Sequence, residues 1–181
     1  MISKTVSSSR FQTSSVMTPQ DANVYGKVFG GMVFSMMDYC AYAAASRYAG
    51  VPCVTAAVDS FSFLTPIEVG ELVICEASVV FVGRSSLDVR AEVFAENVFT
   101  SERRPSNVGH FVMVAKRDGE AYVVPRLVCE TTDDMRRFLE AQNRRKLRAK
   151  RNDEHDDILD ELREASDDEI RQKYADSTSS M

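Results

Sequence analysis

The chain has 181 residues, of which 44% are hydrophobic, so it is long enough for one domain with a substantial core. Its formal net charge of -5 argues against a general nucleic-acid-binding protein, because binding to phosphates requires a surplus of Lys and Arg. No apolar run approaches the roughly 20 residues needed to cross a bilayer. The composition therefore predicts a protein without a membrane span.

The four cysteines are dispersed, with no CxxC pair and no neighbouring histidine: Cys40, Cys53, Cys75 and Cys129. This spacing predicts neither a metal site nor a redox motif, and we expect no cofactor. Reduced, mostly buried thiols in an intracellular protein are the expected state.

Residues 1–16 are rich in serine and contain Lys4 and Arg10 but no acidic residue. We predict a flexible N-terminal segment. The same composition weakly resembles an organelle transit peptide, so a cytoplasmic location is expected, with a mitochondrial one as the alternative.

Residues 21–31, DANVYGKVFGG, contain three glycines and turn-favouring Asp and Asn, which predicts a loop. A helix is predicted over roughly residues 32–48, where every face is apolar or small except at Asp38 and Arg47. A glycine and a proline end it. A helix that is apolar all round is buried, so we expect the rest of the chain to wrap around it.

Four strands are predicted after the helix, each bounded by turn-forming residues: 53–64, 71–82, 87–99 and 108–117. The third alternates apolar and charged residues, which is typical of a sheet with one solvated face. Strands joined by short turns form an antiparallel sheet, and one helix against about five strands predicts an α+β fold.

The predicted folded domain covers residues 17–130, and residues 131–181 form a charged helical extension. Its basic run RRKLRAKR is followed by an acidic stretch that offsets its charge, which favours a solvated helix over a nucleic-acid patch or localisation signal. A further role in locking neighbouring dimers together or recruiting a partner is open.

Asp38 is the most informative polar residue, because an ionised carboxylate in a buried apolar helix is costly unless it is paired. It is either a structural residue, paired with Arg47 or a hydroxyl group, or a functional one. Gly30 and Gly31 precede the helix, where unpaired amides can stabilise negative charge, although a tight turn also explains them. Asn23 either caps the loop or orients a water molecule.

Several strings together resemble the hotdog acyl-CoA thioesterases of the hexameric cytosolic and bacterial type, over residues 17–127: DANVYGKVFGG with the helix after it, PIEVG, VGRSS and FVMVAKRDG. The resemblance implies an antiparallel sheet wrapped around a central helix, with active sites where two domains pair. It also implies hydrolysis of fatty acyl-CoA, with CoA as part of the substrate, and a homo-oligomer built as a trimer of dimers.

By matching motifs, Asn23 corresponds to the family's active-site asparagine and Asp38 to its catalytic aspartate. Asp38 follows Gly31 by seven residues, or roughly 10 Å along a helix. We therefore expect Asp38 of one protomer to act, as general base or nucleophile, on a thioester held by Asn23 and the Gly30 and Gly31 amides of the other.

The CoA portion of the substrate is expected at the turn of the VGRSS motif, formed by Gly83, Arg84, Ser85 and Ser86. Arg103 and Arg104, in a predicted loop, offer a second cationic site for phosphate, although exposed loop arginines are usually solvated. Chain-length preference depends on an acyl tunnel whose candidate lining is Met32, Phe34, Met36 and Phe61.

Two alternatives remain open. A hotdog enoyl-CoA hydratase would need a histidine beside the central helix, but His110 is in a predicted strand and His155 in the charged extension. A non-catalytic acyl-CoA sensor is disfavoured because Asn23 and Asp38 are both present. Asp59 and His110 are interpreted as ordinary strand residues.

Overall fold

The computed structural model describes residues 2–179. The strands are β1 Ser3–Thr5, β2 Phe11–Val16, β3 Cys53–Phe63, β4 Leu72–Val82, β5 Ser86–Asn97, β6 Glu102–Arg117, β7 Glu120–Ala121 and β8 Arg126–Val128. The helices are α1 Gly30–Ala49, α2 Thr132–Glu164 and α3 Asp167–Ser179, with 3-10 turns at Ser7–Ser9 and Pro19–Asp21. None of the described helices is long and apolar enough to cross a membrane.

The main sheet is antiparallel, in the strand order β2-β4-β5-β6-β3, and β7 pairs with β6. Strands β1 and β8 form a separate parallel pair. One face of the sheet packs against α1, and both contribute fully buried side chains such as Met37, Cys40, Val89 and Phe111. This is the predicted α+β hotdog architecture, with β3, β4 and β5 within about two residues of their predicted bounds.

Helix α1 is not enclosed by its own chain. Ala41 and Ala44 on its inner side are fully buried, whereas Met32, Tyr39 and Tyr42 are 41%, 71% and 44% exposed. The predicted sheet curled around a central helix is present, but it covers the inner side of α1 and leaves the outer side exposed. The remaining side is an apolar surface of a kind that protein partners cover.

The N-terminal segment differs from its prediction as a flexible tail, since Phe11–Val16 forms strand β2 at the edge of the sheet, with Phe11 opposite Ala77 of β4. The Arg47 guanidinium lies over the Phe11 ring and donates to the backbone carbonyl of Arg10. An edge strand with mostly exposed Ser and Thr side chains has no clear apolar alternation, which explains why the sequence pattern did not reveal it.

Strand β6 begins earlier than predicted, so Arg103 and Arg104 lie in a strand and not in a loop. Pro105 breaks the predicted pattern, but it occupies an irregularity in the register, opposite Phe94 of β5. A proline is tolerated at such a position because the ladder hydrogen bond is already interrupted there. The β5–β6 turn includes Ser101, whose φ is 57°.

The chain divides into two compact units, residues 1–141 and 142–181, and the boundary falls within α2. In the first unit, the Phe138 ring stacks on Phe81 at a centroid distance of 4.9 Å. In the second, Lys173 of α3 pairs with Glu161 of α2. The predicted C-terminal extension is thus helical.

Candidate active site

Asp38 lies in the middle of α1 and is only half-buried, which corrects the expectation of a fully buried carboxylate. Its Oδ1 atom accepts a hydrogen bond of 2.7 Å from the Thr55 hydroxyl group, on the edge strand β3. Arg47, the partner considered from the sequence, binds elsewhere. A carboxylate that is accessible and held by one hydroxyl can reach a ligand.

Asn23 organises the loop before α1. Its side-chain oxygen accepts hydrogen bonds from the backbone amides of Tyr25 (2.9 Å) and Lys27 (3.2 Å), and its own amide donates to the Lys27 carbonyl (2.7 Å). Within residues 2–179 the side-chain NH2 group has no acceptor. The loop-capping role is thus present, and the amide nitrogen is still available to a ligand.

Helix α1 begins at Gly30, one residue after Phe29, which supplies no side-chain cap. The first amides hydrogen-bonded to the Phe29 carbonyl are those of Met32 (3.0 Å) and Val33 (3.4 Å). Across the described chain, the Gly30 and Gly31 amides have no acceptor. Unpaired amides at the positive end of a helix dipole favour a developing oxyanion.

The two glycines allow aromatic rings to approach the backbone closely. A Cβ atom on Gly30 would lie 2.8 Å from Cε1 of Phe63, and one on Gly31 would collide with the Phe29 ring. Neither has a positive φ. Close approach, and not the tight turn considered from the sequence, therefore explains the pair.

A cleft of about 510 Å³ lies beside the helix start. Its lining combines polar groups with a larger apolar surface: Asn23, Tyr25, Lys27, Val28, Gly30, Val33, Phe63, Leu64, Thr65, Pro66, Ile67 and Asn107. The predicted pair Asn23 and Gly30 thus share one cleft within a chain. Asp38 does not line it.

The turn containing Gly83, Arg84, Ser85 and Ser86 is at the opposite end of the sheet. At the turn, the Ala115 amide donates to the Ser85 carbonyl, and Ser86 of β5 pairs with Val114 of β6. At the cleft, Val93 of β5 pairs with Asn107 of β6. Seven residues of β5 separate the two positions, or about 24 Å along a strand. One chain therefore does not bring this turn to its own cleft.

Arg103 and Arg104, predicted as a second cationic site for phosphate, are each paired with a carboxylate of the same chain. Arg104 donates two hydrogen bonds to Glu71, at 2.6 and 2.8 Å, and this interaction holds the pKa of Glu71 below its usual range. Arg103 pairs with Glu76 at 2.7 Å and lies over the Phe94 ring. Neither partner carboxylate was apparent from the sequence.

The remaining candidates are also accounted for. His110 contacts the Ser60 hydroxyl group at 2.9 Å and Arg90 at 3.3 Å. Neighbouring Gly109 and Phe111 face α1, so strand alternation directs His110 to the opposite face of the sheet. Two residues of the site were missed: Thr55, and Asn107. Thr55 offered one signal, as a polar residue among the apolar ones of a predicted strand. Asn107 lay outside the predicted strand 108–117 and offered none.

The family-level comparisons agree with this architecture. Residues 25–99 match the model of the Thioesterase superfamily. The chain is 34% identical over 128 residues to a Bacillus subtilis protein named as an uncharacterized acyl-CoA thioester hydrolase, covering 70% of this chain and 74% of that protein. The chain belongs to the hotdog acyl-CoA thioesterases. The family predicted from the sequence, and with it an acyl-CoA thioester hydrolase, is confirmed.

Solved structures of such thioesterases resemble this one closely. A hexameric acyl-CoA thioesterase, 31% identical, superposes with a TM-score of 0.82 over 84% of this chain and 98% of its own. An acyl-CoA hydrolase from Staphylococcus aureus, solved with butyryl coenzyme A and coenzyme A, is 28% identical, with a TM-score of 0.81 over 89% of this chain and 99% of its own.

The Staphylococcus aureus hydrolase has also been solved with alanine in place of an asparagine, an aspartate and a threonine. These three residues follow one another at intervals of 15 and 17 residues. Asn23, Asp38 and Thr55 of this thioesterase have the same types and the same two intervals.

Proposed function

We propose that this thioesterase hydrolyses fatty acyl-CoA at sites shared by two protomers. Asp38 and Thr55 come from one protomer, and Asn23 with the Gly30 and Gly31 amides comes from the other. The observation that supports this most directly is the separation of the two halves: the cleft at the helix start excludes the Asp38 of its own chain.

In this mechanism the thioester carbonyl oxygen accepts hydrogen bonds from the Gly30 and Gly31 amides, which stabilise the tetrahedral oxyanion. Asp38 takes a proton from a water molecule as the water oxygen attacks the carbonyl carbon. The carbon–sulfur bond then breaks, and the CoA sulfur leaves as a thiolate that takes up a proton. A fatty acid and free CoA are released. Direct attack by Asp38, giving an anhydride that water hydrolyses, is the alternative sequence of steps.

The exposed apolar surface supports pairing of protomers. It comprises Tyr39 and Tyr42 of α1 together with Val54, Val58 and Phe63 of β3. Strand β3 pairs with β6 on one side, and among the described residues its other side forms the edge of the sheet. A long edge strand with apolar side chains favours addition of another strand. A two-fold dimer through β3 and α1 places the Asp38 of each protomer towards the helix start of its partner.

Pairing also gives the Gly83–Ser86 turn a role, because antiparallel central helices bring the far end of one protomer towards the cleft of the other. Arg84 is exposed there and can meet the phosphates of CoA. The hexameric relative supports further assembly as a trimer of dimers.

Mixing two inactive variants tests the shared site. Asp38→Ala and Asn23→Ala each remove one half of the site, so each homodimer should release little free CoA thiol from a panel of acyl-CoAs. A mixed dimer keeps one site with both residues intact. Random co-assembly, in which half of the dimers are mixed, should therefore restore about a quarter of the wild-type rate.

Sizing by light scattering provides the control that each variant is a folded oligomer. No recovery on mixing would mean that both residues act within one chain. If wild-type protein binds acyl-CoA in a thermal-shift assay but releases no thiol, the protein is a sensor and the hydrolase proposal fails.

A further inference from the structure

Asn107 is a polar residue in an apolar position. It lies in β6, opposite Phe63 of β3 and Val93 of β5. Alternation along the strand places it on the face directed towards α1, together with Phe111 and Met113, which are fully buried. Only 3% of Asn107 is exposed.

The Asn107 carboxamide has no hydrogen-bond partner among residues 2–179. Its neighbour Ser106, by contrast, donates its hydroxyl group to the Thr65 carbonyl at 2.7 Å. Buried carboxamides are almost always paired. The Asn107 nitrogen and oxygen are not among the fully enclosed polar atoms without a partner in the described chain, so both remain accessible from the cleft. The small exposed part of Asn107 lines the cleft that also contains Asn23 and Gly30.

The other residues of the cleft limit which ligands could hydrogen-bond the Asn107 carboxamide. Most of its wall is apolar, including Val28, Val33, Leu64 and Ile67. An acyl chain would fit that surface but would leave the Asn107 carboxamide unpaired. The pantetheine arm of CoA combines methylene groups with amides, and each amide offers one donor and one acceptor. A carboxamide can pair with both.

We infer that the cleft beside the start of α1 holds the pantetheine arm, and that Asn107 hydrogen-bonds the amide nearest the thioester sulfur. This inference rests on the proposed function. It assigns the cleft to the thiol side of the substrate, with the reacting carbonyl at Gly30. The acyl chain then runs outside this cleft.

Asn107→Leu separates a ligand-binding role from a structural one. Leucine has the branched shape of asparagine but a larger volume, and replacing an unpaired polar group by an apolar one can be neutral or stabilising. The melting temperature should therefore change little. Loss of cooperative unfolding, beyond the small fall that the added volume can cause, would mean that Asn107 supports the fold and would overturn the inference.

Two truncated substrates identify the atom that Asn107 binds. Both have the acyl group of the acyl-CoA that wild-type protein hydrolyses fastest. One is the thioester of N-acetylcysteamine, which retains the first amide of pantetheine, and the other has an ether in place of that amide. In Asn107→Leu we expect kcat/KM to fall about 10- to 100-fold for the amide thioester. The ether thioester should change by less than about threefold.

Equal losses for both thioesters would place Asn107 at the reacting carbonyl, and no loss for either would remove it from the site; both results overturn the inference. The two free thiols, used as competitive inhibitors of acyl-CoA hydrolysis, give the same comparison without requiring turnover of small substrates. Absence of hydrolysis by wild-type protein would instead contradict the proposed function.

Discussion

At the scale of single residues, the hydrogen bond from Thr55 to Asp38 is the contact most open to a direct test. Thr55→Val preserves the shape of the side chain and removes the 2.7 Å hydrogen bond that fixes the carboxylate. We expect kcat to fall about 10-fold or more with little change in KM, because a loosely held catalytic group is misplaced in the transition state. Steady-state kinetics of thiol release measures both values.

Thr55→Ser is the matched control, since it keeps the hydroxyl group and loses only a methyl group. It should retain most of the wild-type kcat. If the valine variant keeps the wild-type kcat, or if only the serine variant is impaired, the hydrogen bond does not matter and Thr55 has no positioning role.

The sequence singled out Asn23, Asp38 and the glycine pair as candidate site residues, because each lies in a motif close to the helix start. It could not identify Thr55 or Asn107, since each lies on a strand and gains its significance from a residue far along the chain. Nor could the sequence show that Asp38 is only half-buried. Apolar residues of α1 that face the core of the same chain and those that face a partner look alike in the sequence.

At the scale of secondary-structure elements, Arg104 of β6 braces the β3–β4 loop that forms one wall of the cleft. Its guanidinium group binds both oxygens of Glu71 and also donates to the Pro66 carbonyl at 2.8 Å. A Glu71 oxygen accepts the Glu68 amide at 2.8 Å as well. Arg104 therefore links the two ends of this loop, at Pro66 and at Glu71.

Glu71→Gln tests that brace through pH. The hydrogen bonds from Arg104 lower the pKa of Glu71 in the folded state. The resulting stabilisation is complete above the ordinary glutamate pKa of about 4.3 and disappears as the pH falls through the lower, folded-state pKa. The variant should therefore lose about 1–3 kcal/mol of unfolding free energy at pH 7, measured by urea denaturation.

Repeating the denaturation at a pH below the lowered, folded-state pKa of Glu71 supplies the control, because wild type and variant should then approach the same stability. A difference that does not depend on pH would mean that the ionised pair contributes nothing and that glutamine only disturbs the packing.

Periodicity predicted the central helix and the strands β3, β4 and β5 to within about three residues, because each combines clear apolar patterning with turn residues at both ends. The pattern failed at β2 and at the start of β6. Strand β2 is mostly polar, and the start of β6 is interrupted by Pro105. The positions of both depend on pairing with a neighbouring strand, because Phe11 pairs with β4 and Pro105 pairs with β5.

At the scale of the whole molecule, the exposed side of α1 and the edge of β3 together form an apolar surface of the kind that a protein partner covers. Tyr39 is 71% exposed and Val58 38% exposed, on adjacent elements that also present Asp38 and Thr55. In a two-fold dimer these residues become buried. In the proposed mechanism, the same surface completes the active site.

Val58→Glu and Tyr39→Glu should each dissociate this dimer, because a buried, unpaired carboxylate opposes association. Light scattering should show monomers, and the rate of thiol release should fall as the dimer is lost. The circular dichroism spectrum should remain that of a folded protein. Tyr174→Glu is the matched control: Tyr174 is 70% exposed on α3, in the unit of residues 142–181. It should leave mass and activity unchanged. A folded monomer with full activity would contradict the shared site, since one chain would then supply every residue that the reaction needs.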